Sequence, residues 1–424
     1  MEEQNPWWIG EEDEGYERWR GEKIRWIPNI IWKFKFKPFS LHFFVGARQV
    51  GKTTALKILI HDVLLKERNP KSIFYYSCDE VLDYKELGEV LDNYILAREK
   101  WEVRSSVIIL DEVTFVDEWY RAVKSRIDRG KFKNDVLIVT GSSSIEVLKQ
   151  REYFPGRRGY GKDIFFHPLS FSEYLEKFFK LELKKGGVEN IEDCIDANRI
   201  FSETIMKAFS NYLVTGGFPI PIIDFFTYGR VRNETRKTYL DWLRSDWRKT
   251  GKNEKYMKEV LSYILRASGT PISWLSISKN TSLASPHTAQ SYIETLENLM
   301  VLKIFNLIQP NFKVMYRRNK KIHILDPFLH DTLSYFTRVE VREDVKAESI
   351  VASHLSRAYE TYYWRNKSEI DLISIVNNKQ VGFEVKWGFK HYIKPRHISK
   401  VFILNRENLP LFLASLNLIK ECYS

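Results

Sequence analysis

The stretch "LHFFVGARQVGKTTALKILI", residues 41–60, limits what this chain can fold into more than any other. A short apolar run enters a loop of the form Gly, four residues, Gly-Lys-Thr, and an amphipathic stretch leaves it. That order is strand, phosphate loop, helix, the context in which such a loop has a mechanism. Gly46 and Gly51 let the backbone close around phosphates. The amides of Gly46, Ala47, Arg48, Gln49, Val50 and Gly51 then turn inward as an anion nest, and the helix starting near Lys52 adds the positive end of its dipole. Lys52 reaches the β and γ phosphates of ATP. Thr53 offers its hydroxyl to Mg2+, and Thr54 follows in the first turn.

The second half of the nucleotide site lies in "VIILDE". An apolar strand ends in Asp111, which would hold the magnesium, and Glu112, which would accept a proton from the attacking water. Two acids in series favour ATP hydrolysis over binding alone, although the same pair could cap the next helix. Around these motifs "SLHFFV", "SIFYYSC", "SSVIILDE", "DVLIVTGSS" and "DIFFHPL" alternate with helical stretches such as "VDEWYRAVKSRID". That alternation predicts an α/β fold with a parallel sheet.

The chain has 424 residues, 44% of them hydrophobic, so it has material for several cores. A net charge of +11 suits a polyanionic partner such as DNA. The three cysteines are scattered, with neither disulfide nor metal-ligand spacing, which points to a reducing cytoplasm. The acidic N-terminus does not read as a secretory signal, and no apolar run approaches the roughly 18 residues of a membrane span. Residues 1–39 carry Trp7, Trp8, Trp19, Trp26 and Trp32 among charges. A tail so rich in indoles is expected to pack on the domain that follows.

One strand lies between the two nucleotide motifs and another follows the second. This resembles AAA+-type P-loop ATPases of the ASCE division, and implies a sheet of order 5-1-4-3-2 over residues 40–170. It also implies a polar sensor at the end of "VLIVTGSSS", either Thr140 or Ser142. The serines there could equally be a helix start, with Ser143 or Ser144 as the cap. Arg157 and Arg158 in "FPGRRGYG" are candidates for an arginine finger acting on a neighbouring subunit's γ-phosphate, which would make the protein a homo-oligomer; they could also bind a phosphate backbone. Together "NPWW", "GARQVGKTT", "YYSCDE", "IILDEV", "VTGSSS", "HPLSFSEYL" and "YLVTGGFP" resemble a family of prokaryotic, largely archaeal, AAA+-type ATPases with a C-terminal restriction-endonuclease-like domain. The resemblance runs from Asn5 to about Phe389.

Residues 171–258 lose the strand signal and read as a helical lid, with "GGFP" at 216–219 as a tight turn that needs glycine conformations. Residues 259–325 resemble a winged helix-turn-helix. A helix ends at Ser268-Gly269, a second runs to about Asn280, and a third from His287 to Met300 buries Ile293, Leu296 and Leu299. A hairpin follows, with Arg317, Arg318, Lys320 and Lys321 placed to touch DNA phosphates. Winged helices also serve as protein-binding modules.

Residues 326–424 resemble the PD-(D/E)XK nuclease fold. Asp371 in "EIDLI" and Glu384 in "FEVKW" would converge on one Mg2+ or Mn2+. Lys386, on the same face as Glu384 by strand alternation, would assist the attacking water. Glu348 on the preceding helix would add a third acid. A solvated charged hairpin carries the same residues. The function expected is a Mg2+-dependent ATPase acting on DNA, with ATP hydrolysis gating a winged helix and a nuclease-like domain. The alternative is a nucleotide-controlled switch or scaffold that binds DNA or protein without cutting.

Overall fold

The computed structural model describes every residue except 142–146, 148, 149, 367, 388–397 and 419–424. The chain divides into two compact units, Met1–His167 and Pro168–Ser424.

The first unit is built on β1 (Ser40–Gly46), β2 (Ile73–Ser77), β3 (Val107–Asp111), β4 (Val136–Thr140) and β5 (Asp163–Phe166). Their order is β2-β3-β4-β1-β5 and every pairing is parallel. This is the expected 5-1-4-3-2 read from the opposite edge. All residues of β1, β3 and β4 are buried, as strands covered on both faces require. Because β4 lies between β1 and β3, the loops leaving those two strands open at the same sheet end with a gap between them. Parallel sheets bind ligands in such a gap.

β2 is an edge strand, and the tryptophan-rich N-terminus covers it with side chains rather than with another strand. The Asn5 amide donates to the Tyr75 carbonyl at 2.8 Å and accepts from the Tyr75 amide at 2.7 Å. The Ser77 amide donates to Gln4 at 2.6 Å. The Trp7 and Trp8 indoles both donate to the Ile73 carbonyl, at 3.1 and 2.9 Å. Trp8 also stacks on Phe74 and Tyr94 and meets Trp101 edge-on. The row of unpaired groups that an edge strand presents is thereby closed. An ion pair of 2.6 Å between Asp13 and Lys57 ties the helix Glu14–Gly21 to the helix after the phosphate loop. Trp32 stays exposed.

The second unit starts as helices, among them Ser202–Thr215, Pro219–Tyr228 and Asn233–Lys249. The turn "GGFP" ends the first of these. Gly216 has φ +56°, and a Cβ there would lie 2.0 Å from the Asp326 carboxylate. That carboxylate accepts the Gly217 amide at 2.8 Å and caps the helix Pro327–Thr337 through Phe328 at 2.9 Å. The glycine is therefore needed for a buried carboxylate far away in sequence as well as for the turn.

The helices Glu254–Ala267, Trp274–Lys279 and Pro286–Asn298 come next. The last is capped by Ser285 with Pro286 at its first position, and it buries Ile293 and Leu296. The antiparallel hairpin of β6 (Leu302–Ile308) and β7 (Val314–Ile324) follows. This hairpin belongs to a larger sheet that includes β8 (Thr361–Arg365), β9 (Glu369–Val376), β10 (Lys379–Val385) and β11 (Lys400–Leu404). The order is β11-β10-β9-β8-β6-β7. β6 joins β8 in parallel at Leu307 and Tyr363. The stretches 259–325 and 326–424, expected as separate domains, thus share one sheet within a single unit.

Candidate functional site

The helix Lys52–Leu59 begins after Gly51, whose φ of +94° only glycine adopts at ease. Gly46 is required for a reason the loop pattern does not reveal: a Cβ there would lie 2.5 Å from the Phe166 carbonyl of the neighbouring β5. The Lys52 ammonium is buried under the loop and donates to the Gly46 and Ala47 carbonyls at 2.9 and 3.3 Å. Thr53 donates its hydroxyl to Asp111 Oδ2 at 2.7 Å. The two sequence motifs therefore meet atom to atom.

Asp111 accepts from other groups as well. Tyr75 donates its hydroxyl to the same Oδ2 at 3.0 Å, and the Glu112 amide donates to Oδ1 at 3.0 Å. Burial raises the Asp111 pKa, and the Thr53 and Tyr75 hydrogen bonds pull it back. Glu112 stands at φ +56°, an unusual conformation for a non-glycine residue. A carboxylate held against a threonine hydroxyl at the mouth of a phosphate loop is a donor set that fits Mg2+. Tyr75 was not among the sequence candidates. Its signal was weak, an aromatic in the strand beside the one that ends in Asp111.

Thr140 ends β4 beside Phe44 of β1. It is fully buried, and its hydroxyl has no hydrogen-bond partner among the described residues. Ser142, the other sensor candidate, lies outside the described residues, as do Ser143 and Ser144.

Arg157 and Arg158 are not at the nucleotide loop of their own chain. The Arg158 carbonyl pairs with Leu41, near the start of β1, and its guanidinium lies over the Phe43 ring. The phosphate loop begins at the far end of that strand, about 16 Å away at strand rise. Arg157 is paired with Asp128 at 2.6 Å and Arg158 with Asp163 at 2.8 Å. The glycine-rich loop that carries them is stapled to β1 instead of standing free.

The second unit gathers the other candidates. Asp371 on β9 and Glu384 on β10 are neighbours, and the Asp371 amide donates to Glu384 at 3.2 Å. The Val385 amide donates to Asp371 at 2.9 Å. Lys386 is paired with Glu384. Glu348 comes in from the helix Glu343–Ala358. A cleft of about 660 Å3 opens onto Glu348, Asp371 and Lys386, with Arg342, Arg406 and Trp387 on its walls.

Two of the four basic residues assigned to the hairpin are placed otherwise than expected. Arg317 and Arg318 are exposed. Lys320 is buried, and its ammonium turns back onto the Tyr316 and Arg318 carbonyls. Lys321 is 1% exposed and points into the acidic centre. It lies 2.9 Å from Glu348, 2.8 Å from Glu369 and 2.9 Å from Asp371. Neither lysine presents its charge to a DNA phosphate. Coverage of both faces explains the difference: β7 is exposed from Tyr316 to Asn319 and buried at every residue from Lys320 to Ile324, so neighbouring side chains that alternate between faces are both enclosed.

Charges in this centre shift one another. Burial works against a charged Lys321, but Glu348, Asp371 and Glu369 outweigh it and raise its pKa well above the ordinary value. Burial also pushes against an ionised Asp371, and Lys321 wins, leaving it below the usual range. Burial, followed by the charge of Asp371, raises Glu384. His323, the next residue on the same face of β7, is driven down to about 3 by burial and by Lys321, so it is neutral. Among the described residues no group of three or more His, Cys, Asp or Glu side chains is arranged to hold a metal ion. Glu348, Asp371 and Glu384 do come together, but around ammonium groups. The expected metal set does not fit a divalent ion in this arrangement.

Residues 39–175 match the AAA domain family, and residues 206–340 match a domain of unknown function, DUF8612. The first unit carries a P-loop AAA-type ATPase domain. No curated protein matches the chain. Among solved structures, a Walker-type ATPase of Pyrococcus abyssi is 13% identical with a TM-score of 0.41, over 69% of this chain and 90% of that one. The Aeropyrum pernix ORC2 protein, in ADPNP–ADP complexes, is 12% identical with a TM-score of 0.37, over 70% and 88%. The Aeropyrum pernix ORC1 protein in complex with DNA is 13% identical with a TM-score of 0.30, over 70% and 86%. At such identities and scores these likenesses bear on neither the substrate nor the partner of this chain. No helix among the described residues is long and apolar enough to cross a membrane.

Proposed function

We propose that the protein is a Mg2+-dependent ATPase that acts on DNA, with nucleotide turnover in the first unit controlling the helix-and-hairpin unit that follows. The observation that carries the ATPase part is the 2.7 Å hydrogen bond between Thr53 and Asp111 beside the buried Lys52 ammonium. Mg2+ at that pair would neutralise charge on the β and γ phosphates. Lys52 would exchange its loop carbonyls for phosphate oxygens, because the charge-assisted bond to phosphate is the stronger one. Glu112 follows Asp111 directly and would accept the proton of the attacking water.

The DNA part rests on the net charge of +11 and on the exposed Arg317 and Arg318, which lie in β7 where the hairpin register shifts. Cutting by the second unit is not part of the reading. Lys321 inside the Glu348–Asp371 centre favours a switch or scaffold that engages DNA or protein without hydrolysing it.

Steady-state hydrolysis and nucleotide binding by the purified chain test the proposal, with and without single-stranded and duplex DNA. Lys52→Ala should lose both binding and turnover. Glu112→Gln should keep binding and lose turnover, since an amide cannot accept the proton. Normal hydrolysis by Glu112→Gln would remove Glu112 from the reaction. A wild-type rate that no DNA alters, together with no measurable DNA affinity, would remove DNA.

A further inference from the structure

The nuclease-like centre contains a cation supplied by the chain itself. Lys321 Nζ is within 3 Å of one oxygen each from Glu348, Glu369 and Asp371, and its side chain is 1% exposed. β7 supplies the lysine, the helix Glu343–Ala358 supplies Glu348, and β9 supplies Glu369 and Asp371. A second ammonium, that of Lys386, holds Glu384. His323 stands 3.5 Å from Glu348.

We propose that Lys321 is a built-in counter-ion that takes the place of a divalent cation at this centre, so that the protein does not take up Mg2+ or Mn2+ there while β7 stays in register. Three carboxylates collected in a low-dielectric site need a cation, since like charges so close repel strongly. Either a metal or an ammonium meets that need, and the two exclude each other because they compete for the same oxygens. The ammonium is tethered, so it acts at an effective concentration that a free ion does not match. Burial reinforces the choice. Leaving Lys321 without its partners would strand a charge in the sheet, which is the costly way to break a buried ion pair. The register of β7 keeps the lysine in place. Lys320 pairs backbone to backbone with Ile272, and Ile322 and Ile324 face Ile304 and Leu302 across the hairpin.

The test measures Mn2+ binding to the full-length chain without nucleotide, by calorimetry and by the electron paramagnetic resonance signal of the free ion. It is independent of the ATPase reading, because no ATP is present and no activity is read. Wild type should show no Mn2+ binding that Asp371→Asn abolishes. Lys321→Met should gain one Mn2+ site, about tenfold or more tighter than any binding by wild type. Adding Asp371→Asn to that variant should remove the gain. Wild-type uptake of Mn2+ that is lost in Asp371→Asn would overturn the proposal, as would a folded Lys321→Met with no new site. If Lys321→Met unfolds in the absence of metal, its cooperative melting transition should return on adding Mn2+, and failure to return would equally overturn it.

Discussion

Asn5→Ala tests whether the N-terminal extension is part of the ATPase fold. Asn5 is fully buried and uses its amide as a substitute strand, pairing with both the carbonyl and the amide of Tyr75. Alanine leaves both backbone groups without a partner beneath Trp7 and Trp8. Each orphaned buried group costs about 1–3 kcal/mol. Water entering at the sheet edge would soften the loss, so about 2–4 kcal/mol is expected in all. For a unit of this size that lowers the melting midpoint by about 4–16 °C. Calorimetry of the full chain, following the transition of the first unit, reads the shift. Asn5→Asp should be at least as damaging, because one carboxylate oxygen would face the Tyr75 carbonyl. The change should also reach the nucleotide site, since the Tyr75 hydroxyl holds Asp111. More Mg2+ should then be needed to half-saturate nucleotide binding. A midpoint for Asn5→Ala within about 1 °C of wild type, which is under ~0.5 kcal/mol, would refute the reasoning.

Tyr75→Phe removes one donor from Asp111 and leaves the Thr53 bond in place. The Mg2+ needed for half-maximal nucleotide binding should change by up to about tenfold, the equivalent of a bond worth about 0.5–1.5 kcal/mol, and an unchanged titration would show Tyr75 to be only structural. Burial lifts Asp326 to about 6. The folded protein therefore holds a proton that the unfolded chain releases between its ordinary 3.8 and about 6, and stability should fall as pH rises through that window. The full fall is about 3 kcal/mol. Asp326→Asn should lose that pH dependence even if it is less stable throughout, and parallel melting-versus-pH curves for the two proteins would contradict the assignment. Replacing Arg317 and Arg318 with alanine should weaken DNA binding and cut its salt slope by roughly 0.9 for each phosphate no longer neutralised. The buried Lys320 and Lys321 should contribute nothing to that slope, and a slope that ignores both arginines would take the hairpin out of the interface.

The nucleotide half of the molecule was legible in the sequence because its information is local. A strand, a loop and a helix in succession place Lys52 and Thr53 by chain geometry alone. The apolar runs of β1, β3 and β4 announce a sheet covered on both faces, and the strand order puts Asp111 opposite Thr53. The place of Arg157 and Arg158 was not legible, because a glycine-rich loop carries no mark of which end of the sheet it lies against. Backbone pairing with Leu41 decided that. The tryptophan tail could be assigned to packing but not to an edge, since Asn5 and Tyr75 lie 70 positions apart in sequence. In the second unit the sequence supplied Glu348, Asp371, Glu384 and Lys386, and their acids do converge. It could not show what sits between them. A lysine in a basic hairpin reads as a surface charge, and only the register of β7 turns Lys321 inward. Strand alternation makes each face depend on where the strand enters the sheet, so one bridge, between Leu307 and Tyr363, decides whether that hairpin is a free wing or a wall of the acidic centre.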